Sequence, residues 1–149
     1  MRKPDKKPAS LKLHHIGVVV KDLEKAIEHF TSLGIGPFEF PKPPSSRTKM
    51  QIWGKPPDYK LKGGIAKVGQ VKIELLQPIE GESQFSEFLE KRGEGVQHLG
   101  FVVDDIEEEV SKFTSKGVKV LTGGKWPGGG FVHLETDDVG GIIIELMQR

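Results

Sequence analysis

Apolar residues along this chain follow two rhythms, strand-like runs and helical spacing, and the two alternate in a fixed order. Residues 11–20 are rich in β-branched and apolar side chains and predict a strand. Asp22 then stands where a helix N-cap belongs, with Glu24 and Glu28 following it. Leu23, Ala26, Ile27 and Phe30 recur at helical spacing until Gly34 closes the element. Strands are expected next over residues 49–53, 59–68 and 71–77. The order begins again with a run from His98, a helix marked by Asp105, Ile106, Val110, Phe113 and Gly117, and strands over 118–121, 131–135 and 142–147. Hairpin turns fall at Gly69-Gln70 and at 137–141. Residues 82–92 read as an amphipathic helix with Phe85, Phe88 and Leu89 on its buried side. Two segments read as loops: 41–57, with five prolines, and the glycine-rich 123–130, a flexible loop that carries Trp126.

The recurrence is a duplication. The run from His15 to Ile35 aligns without gaps on His98 to Val118, an offset of 98 − 15 = 83 residues. Identical pairs include His15/His98, Gly17/Gly100, Asp22/Asp105, Phe30/Phe113 and Gly34/Gly117. Downstream, IELLQ from Ile73 matches IELMQ from Ile144. The expected fold is therefore α+β, one domain of two tandem βαβββ units. They span 11–78 and 96–149, are joined by the 82–92 helix, and follow a disordered tail over 1–10.

Composition narrows the chemistry. A chain of 149 residues with 36% hydrophobic and 29% charged content is long enough for one soluble domain. The net charge of +1 gives no general pull toward nucleic acid or a membrane. No apolar run approaches the roughly 20 residues of a spanning helix. The polar start lacks a signal segment, so a cytoplasmic setting is expected. With no cysteine, any metal site must use imidazole and oxygen donors.

Four residues then stand out. His15 and His98 each open an apolar strand, and Glu74 and Glu145 each interrupt one; a carboxylate in a strand such as IIIELM is costly unless paired or bound to a cation. One such residue is ordinarily an exposed strand position. The same pair twice in the same order is different, because two units packed about a pseudo-twofold axis bring two His and two Glu to one point. Two neutral imidazoles and two carboxylates balance a divalent ion such as Co, Mn, Ni, Zn or Fe. Strand parity puts His15 on one face with Gly17, whereas His14 and His29 lack a match in the second copy and read as surface residues. Aligning Gly63-Gly64 with Gly129-Gly130 pairs Lys67 with His133. Both, with Trp126, are candidate substrate contacts, though a solvated strand position is the plainer reading for His133.

HIGVVVKDLEKAIEHF, VKIELLQP, GVQHLGFVVDDIEEEV and GGIIIELMQ together resemble the vicinal oxygen chelate superfamily, which includes glyoxalase I, extradiol dioxygenases, bleomycin-resistance proteins and methylmalonyl-CoA epimerase. The resemblance covers nearly the whole chain, and the linker helix followed by GEGVQHLGF is most similar to the epimerase branch. It implies a cup-shaped mixed sheet with helices on its outer face and metal ligands at His15, Glu74, His98 and Glu145. It also implies an isomerase or epimerase that moves a proton next to a carbonyl, with Glu145 as catalytic base, and a homodimer. Two departures stand against the epimerase pattern. Glu74 replaces the usual Gln, as in glyoxalase I. The strand before IELLQP, where the branch places a second catalytic Glu, reads Gly63, Gly64, Ile65 here. Substrates in keeping with the resemblance are an acyl-CoA or glutathione thioester, or a hemithioacetal in a lactoylglutathione lyase; the non-catalytic alternative is a ligand-binding protein of the bleomycin-resistance kind.

Overall fold

The computed structural model describes residues 10–42, 51–56 and 58–149. The expected tail, apart from Ser10, and much of the expected 41–57 loop lie outside the described residues. Among the described residues, eleven elements follow in order: β1 (Lys12–Val19), α1 (Leu23–Ser32), β2 (Gln51–Gly54), β3 (Lys60–Val68), β4 (Val71–Glu80), α2 (Gln84–Arg92), β5 (Gly95–Val102), α3 (Ile106–Thr114), β6 (Val120–Trp126), β7 (Gly129–Leu134) and β8 (Ile143–Gln148). The strands form one curled, mixed sheet in the order β2-β6-β7-β8-β5-β1-β4-β3.

The duplication is visible in the hydrogen bonds that start each helix. Asp22 accepts from the Lys25 amide and Asp105 from the Glu108 amide, both at 3.1 Å, capping α1 and α3 alike. The glutamine that ends each IEL motif supplies a second cap. Gln77 Oε1 accepts from the Leu23 amide at 2.9 Å, and Gln148 Oε1 from the Ile106 amide at 3.1 Å. Each repeat thereby ties its last strand to its own helix and satisfies an amide that no helical turn can reach.

β1 and β5 run antiparallel along the middle of the sheet, and each has its own repeat's last strand beside it in parallel: β4 against β1 and β8 against β5. The outer face carries α1 and α3. Val20, Leu23 and Leu75 pack under α1 with Ile27 and Phe30, while Val103, Ile106, Val132, Leu134 and Leu146 form the larger cluster under α3. Truncating a fully buried leucine such as Leu75 or Leu146 to Ala would cost about 2–5 kcal/mol. The linking helix α2 does something else. Its Phe85 packs on Val19 and Leu76, which share the inner face with His15 and Glu74, so α2 closes one end of the cup.

Three expectations change. Residues 123–130 are not a flexible loop but most of the β6–β7 hairpin, turning at Pro127-Gly128. The glycines there serve close packing: a Cβ at Gly129 would meet the Trp126 indole nitrogen at 2.6 Å, and one at Gly123 the Phe131 carbonyl at 2.5 Å. Next, the short strand expected near 49–53 is β2, but it pairs with β6 of the second repeat rather than with its own. Glu39 bridges to Ile65 at the free side of β3, and Trp53 from β2 joins the cluster under α3. Finally, strand register pairs Ile65 with Glu74 and His133 with Glu145, so the counterpart of His133 is Ile65, not Lys67.

Candidate metal centre

The central seam builds the site. In the β1–β5 register His15 lies opposite Gly100 and Gly17 opposite His98. Each imidazole therefore lies on the glycine of the other repeat. A Cβ at Gly100 would sit 2.0 Å from His15 Cε1, and one at Gly17 2.0 Å from His98 Cε1. No side chain but hydrogen fits under either ring, which is the reason for His-x-Gly in both copies. The parallel neighbours add the carboxylates, with Gly17 beside Glu74 and Gly100 beside Glu145.

The donor atoms converge. His15 Nε2 is 3.1 Å from His98 Nε2 and 3.0 Å from Glu145 Oε2. Glu145 Oε2 is 3.2 Å from His98 Nε2, and Glu74 Oε1 lies 3.3 Å from His98 Nε2 and 3.8 Å from His15 Nε2. Ligand atoms about 2.1 Å from a shared divalent ion stand about 3.0–3.4 Å apart between right-angle and tetrahedral placement, so the arrangement fits such an ion. His15 and His98 are buried.

The outer nitrogens agree with ligation. Gln97 Oε1 accepts from His98 Nδ1–H at 2.6 Å, so Nε2 is the nitrogen that faces inward and takes an ion once its own proton is displaced. His15 Nδ1 is 2.9 Å from His14 Nδ1, so the two rings share one proton; placed on His15 it leaves Nε2 bare. Charge points the same way. Burial disfavours a proton on His98, yet Glu145 and Glu74 outweigh it and lift the ring to about 9. Burial alone would raise Glu145; His133, His15 and His98 overcome that and hold it well below the usual carboxylate value. The cluster demands positive charge.

A cleft of about 770 Å³ opens over the donors. Glu74, Glu145 and His15 line it together with Ile65, Lys72, Phe131 and Met147. Of the three expected substrate contacts, Trp126 lines the cleft, whereas Lys67 is exposed and outside it. His133 is not solvated: it is 5% exposed, beneath Glu145, with Nε2 3.7 Å from Oε1. Burial lowers its pKa to about 4. His14 is no plain surface residue either. It lines the cleft beside His15, and burial first, then the electrostatic influence of His15, Arg149 and Lys72, lower it to about 4.

Sequence reasoning missed Glu39. It lines the cleft and bridges to Ile65, the residue opposite Glu74. The repeat offset places Glu39 at the position of Thr122, since 122 − 39 = 83, and Thr122 is the residue opposite His133; only the strand register shows what that equivalence means.

Residues 14–133 match the family described as Glyoxalase/Bleomycin resistance protein/Dioxygenase superfamily. The chain belongs to that superfamily. Among relatives, the ethylmalonyl-CoA/methylmalonyl-CoA epimerase of Cereibacter sphaeroides is 28% identical over 143 residues, covering 92% of this chain and 97% of the relative. The mitochondrial methylmalonyl-CoA epimerase of Bos taurus is 27% identical over 141 residues, 92% of this chain and 74% of the relative. The crystal structure of methylmalonyl-CoA epimerase from Mycobacterium tuberculosis superposes with a TM-score of 0.66 at 26% identity, covering 91% of this chain and 86% of that one.

Proposed function

We propose that this superfamily member is a divalent-metal-dependent epimerase that moves the proton next to the carbonyl of an acyl-CoA thioester, of the methylmalonyl-CoA kind. The observation that carries the reading is the convergence of His15, Glu74, His98 and Glu145 donors, spaced 3.0–3.8 Å, on the floor of an open cleft. The epimerase names of relatives that align over 92% of the chain support the substrate class.

The four side chains would hold the ion, which supplies positive charge against the oxyanion that develops as the α-proton leaves. Glu145 is kept ionised by the three histidines around it, and it lines the cleft. Its carboxylate takes the α-proton: the C–H bond breaks, the proton passes to Glu145, and the electron pair spreads onto the carbonyl oxygen. Inversion requires a proton delivered to the other face of that carbon. Glu39, on the β3 side of the cleft beyond Ile65, supplies a carboxyl there, where the strand itself offers none. Phe131, Trp126 and Met147 line the same space with apolar surface that keeps water from the carbanion.

The test is α-proton exchange into methylmalonyl-CoA in deuterated buffer, using metal-reconstituted protein. Wild type should exchange, and Glu145→Gln should lose about 10²–10⁴-fold of the rate with its fold intact. Normal exchange in Glu145→Gln removes Glu145 as the base; metal content below about a tenth of an equivalent after reconstitution removes the metal reading. The paired Glu74 and Glu145 favour a second reading, a glyoxalase I-type lyase, which turnover of methylglyoxal with glutathione would reveal.

A further inference from the structure

In the reaction just described His133 touches no reacting atom and acts only through its influence on the charge of Glu145, yet it is buried and closely enclosed beside the donors. Three rings wall it in: Phe85, Phe131 and His98, with centroids 5.6, 5.8 and 5.5 Å from its own. Its Nδ1 is buried without a hydrogen-bond partner among the described residues. Its polar neighbour is Glu145, directly opposite in register, with Nε2 3.7 Å from Oε1. A bare imidazole nitrogen goes unpartnered more cheaply than a buried N–H, so the ring's proton belongs on Nε2, facing the carboxylate. At 3.7 Å the pair is too far apart for a hydrogen bond, and an approach of about 0.5–1 Å would make one.

The other wall shows what the histidine adds. Ile65 occupies the equivalent place against Glu74, and an apolar side chain gives that carboxylate nothing to hold. Glu74 is correspondingly the more open of the two, its side chain 25% exposed against 12% for Glu145, and it stands 3.8 Å from His15 where Glu145 stands at 3.0 Å. One carboxylate faces a donor and the other a hydrocarbon; they differ in their distance to His15 and are nearly equal in their distance to His98, 3.2 and 3.3 Å.

We propose that His133 is a positioning residue for the metal centre, its Nε2–H holding Glu145 Oε1 so that Oε2 faces the ion. The proposal rests on the metal reading above. It makes the two halves of the ligand set unequal, with Glu145 oriented by a donor in the resting site and Glu74 not, and Glu145 leaves one of its two contacts, His133 or the ion, when it takes the α-proton. Removing a donor that orients a ligand typically costs 10–100-fold in metal affinity.

The experiment is a titration of the full-length apo-protein with Co²⁺, followed by its visible absorption, for wild type, His133→Leu, His133→Phe, His133→Gln and Ile65→Val. Leu and Phe both delete the donor and keep an apolar filling, so one can serve if the other does not fold; thermal unfolding of each apo form checks this. The expected result is a 10–100-fold weaker Kd and an altered Co²⁺ spectrum for Leu or Phe. Recovery to within a few-fold is expected for Gln, whose amide N–H replaces the lost donor, and no change for Ile65→Val. Wild-type affinity and spectrum in the Leu or Phe variant would overturn the proposal, as would a Gln variant as weak as Leu. If wild type itself takes up no Co²⁺, the metal reading falls and this one with it; if wild type binds and Leu binds equally, only the role of His133 is lost.

Discussion

Replacing Gly100 by Ala puts the central seam under a defined strain. The new methyl would stand 2.0 Å from His15 Cε1, where carbon atoms in contact settle about 3.5–4.0 Å apart. The imidazole must then retreat by about 1.5–2 Å, whereas metal–ligand distances tolerate only about 0.2 Å. His15 cannot both clear the methyl and keep Nε2 in the cluster. Losing a ligand outright should exceed the 10–100-fold typical of losing an orienting partner, so metal affinity should fall by at least 100-fold. Forcing a methyl into this packed seam should also cost the apo-protein about 1–3 kcal/mol. Gly17→Ala displaces His98 in the same way, with the same 2.0 Å approach, and should match Gly100→Ala in both respects. Gly95→Ala on the same strand is the control, because its methyl would meet only the Phe88 ring, at 3.9 Å. Calorimetric titration with a divalent ion and urea denaturation of the apo-protein measure the two quantities. A folded Gly100→Ala protein that binds metal as wild type does would refute the packing argument.

Proton linkage gives a second prediction. His98, lifted to about 9, carries a proton at neutral pH that an ion must displace; binding should release close to one proton at pH 7 and weaken about tenfold per pH unit lowered. Calorimetry in buffers of different ionisation enthalpy counts that proton, and a count of zero would contradict the electrostatics. For the apo-protein, the raised His98 adds stability below its unfolded value of about 6.5 and loses it as pH climbs through about 9. The depressed Glu145 adds stability above about 4.5 and loses it as pH falls, while His133 and His14, lowered to about 4, cost stability as pH falls below about 6.5, so the urea midpoint should peak near pH 6.5. Glu39→Gln should keep α-proton exchange from the face served by Glu145 while losing inversion, read by chiral analysis of the product; unaltered inversion would dismiss Glu39. Ser83→Ala removes the hydroxyl half of the capping box that starts α2, and the urea midpoint should report a loss of about 0.5–2 kcal/mol.

The duplication was legible because strand and helix periods, caps and the His-x-Gly and Ile-Glu-Leu motifs all recur in step, and the structure brings those four polar side chains to one point. What stayed hidden depends on pairing between distant strands. Glu39 and Ile65 meet through a bridge that no local period announces, and β2 leaves its own repeat for the edge of β6. His133 reads as a solvated strand position; its burial comes from Phe131 and His98 on the sheet and from Phe85, which the linking helix brings across the cup. The run 123–130 has the composition of a loop, and only the approach of Trp126 to Gly129 shows why a strand there needs glycine.

The reciprocal seating of each histidine on the opposite repeat's glycine has a consequence for how such a chain can be divided. One repeat alone has an imidazole with nothing to rest on and a bare glycine with nothing above it. Two separate repeats would have to meet head to tail across the same antiparallel seam, at a cost that depends on their dilution. Joining them through α2 fixes the local concentration of one for the other in the millimolar range typical of short tethers. Cutting the chain between Glu80 and Gln84 should therefore make metal uptake depend on protein concentration, with half the ligands on each fragment and neither fragment able to bind alone.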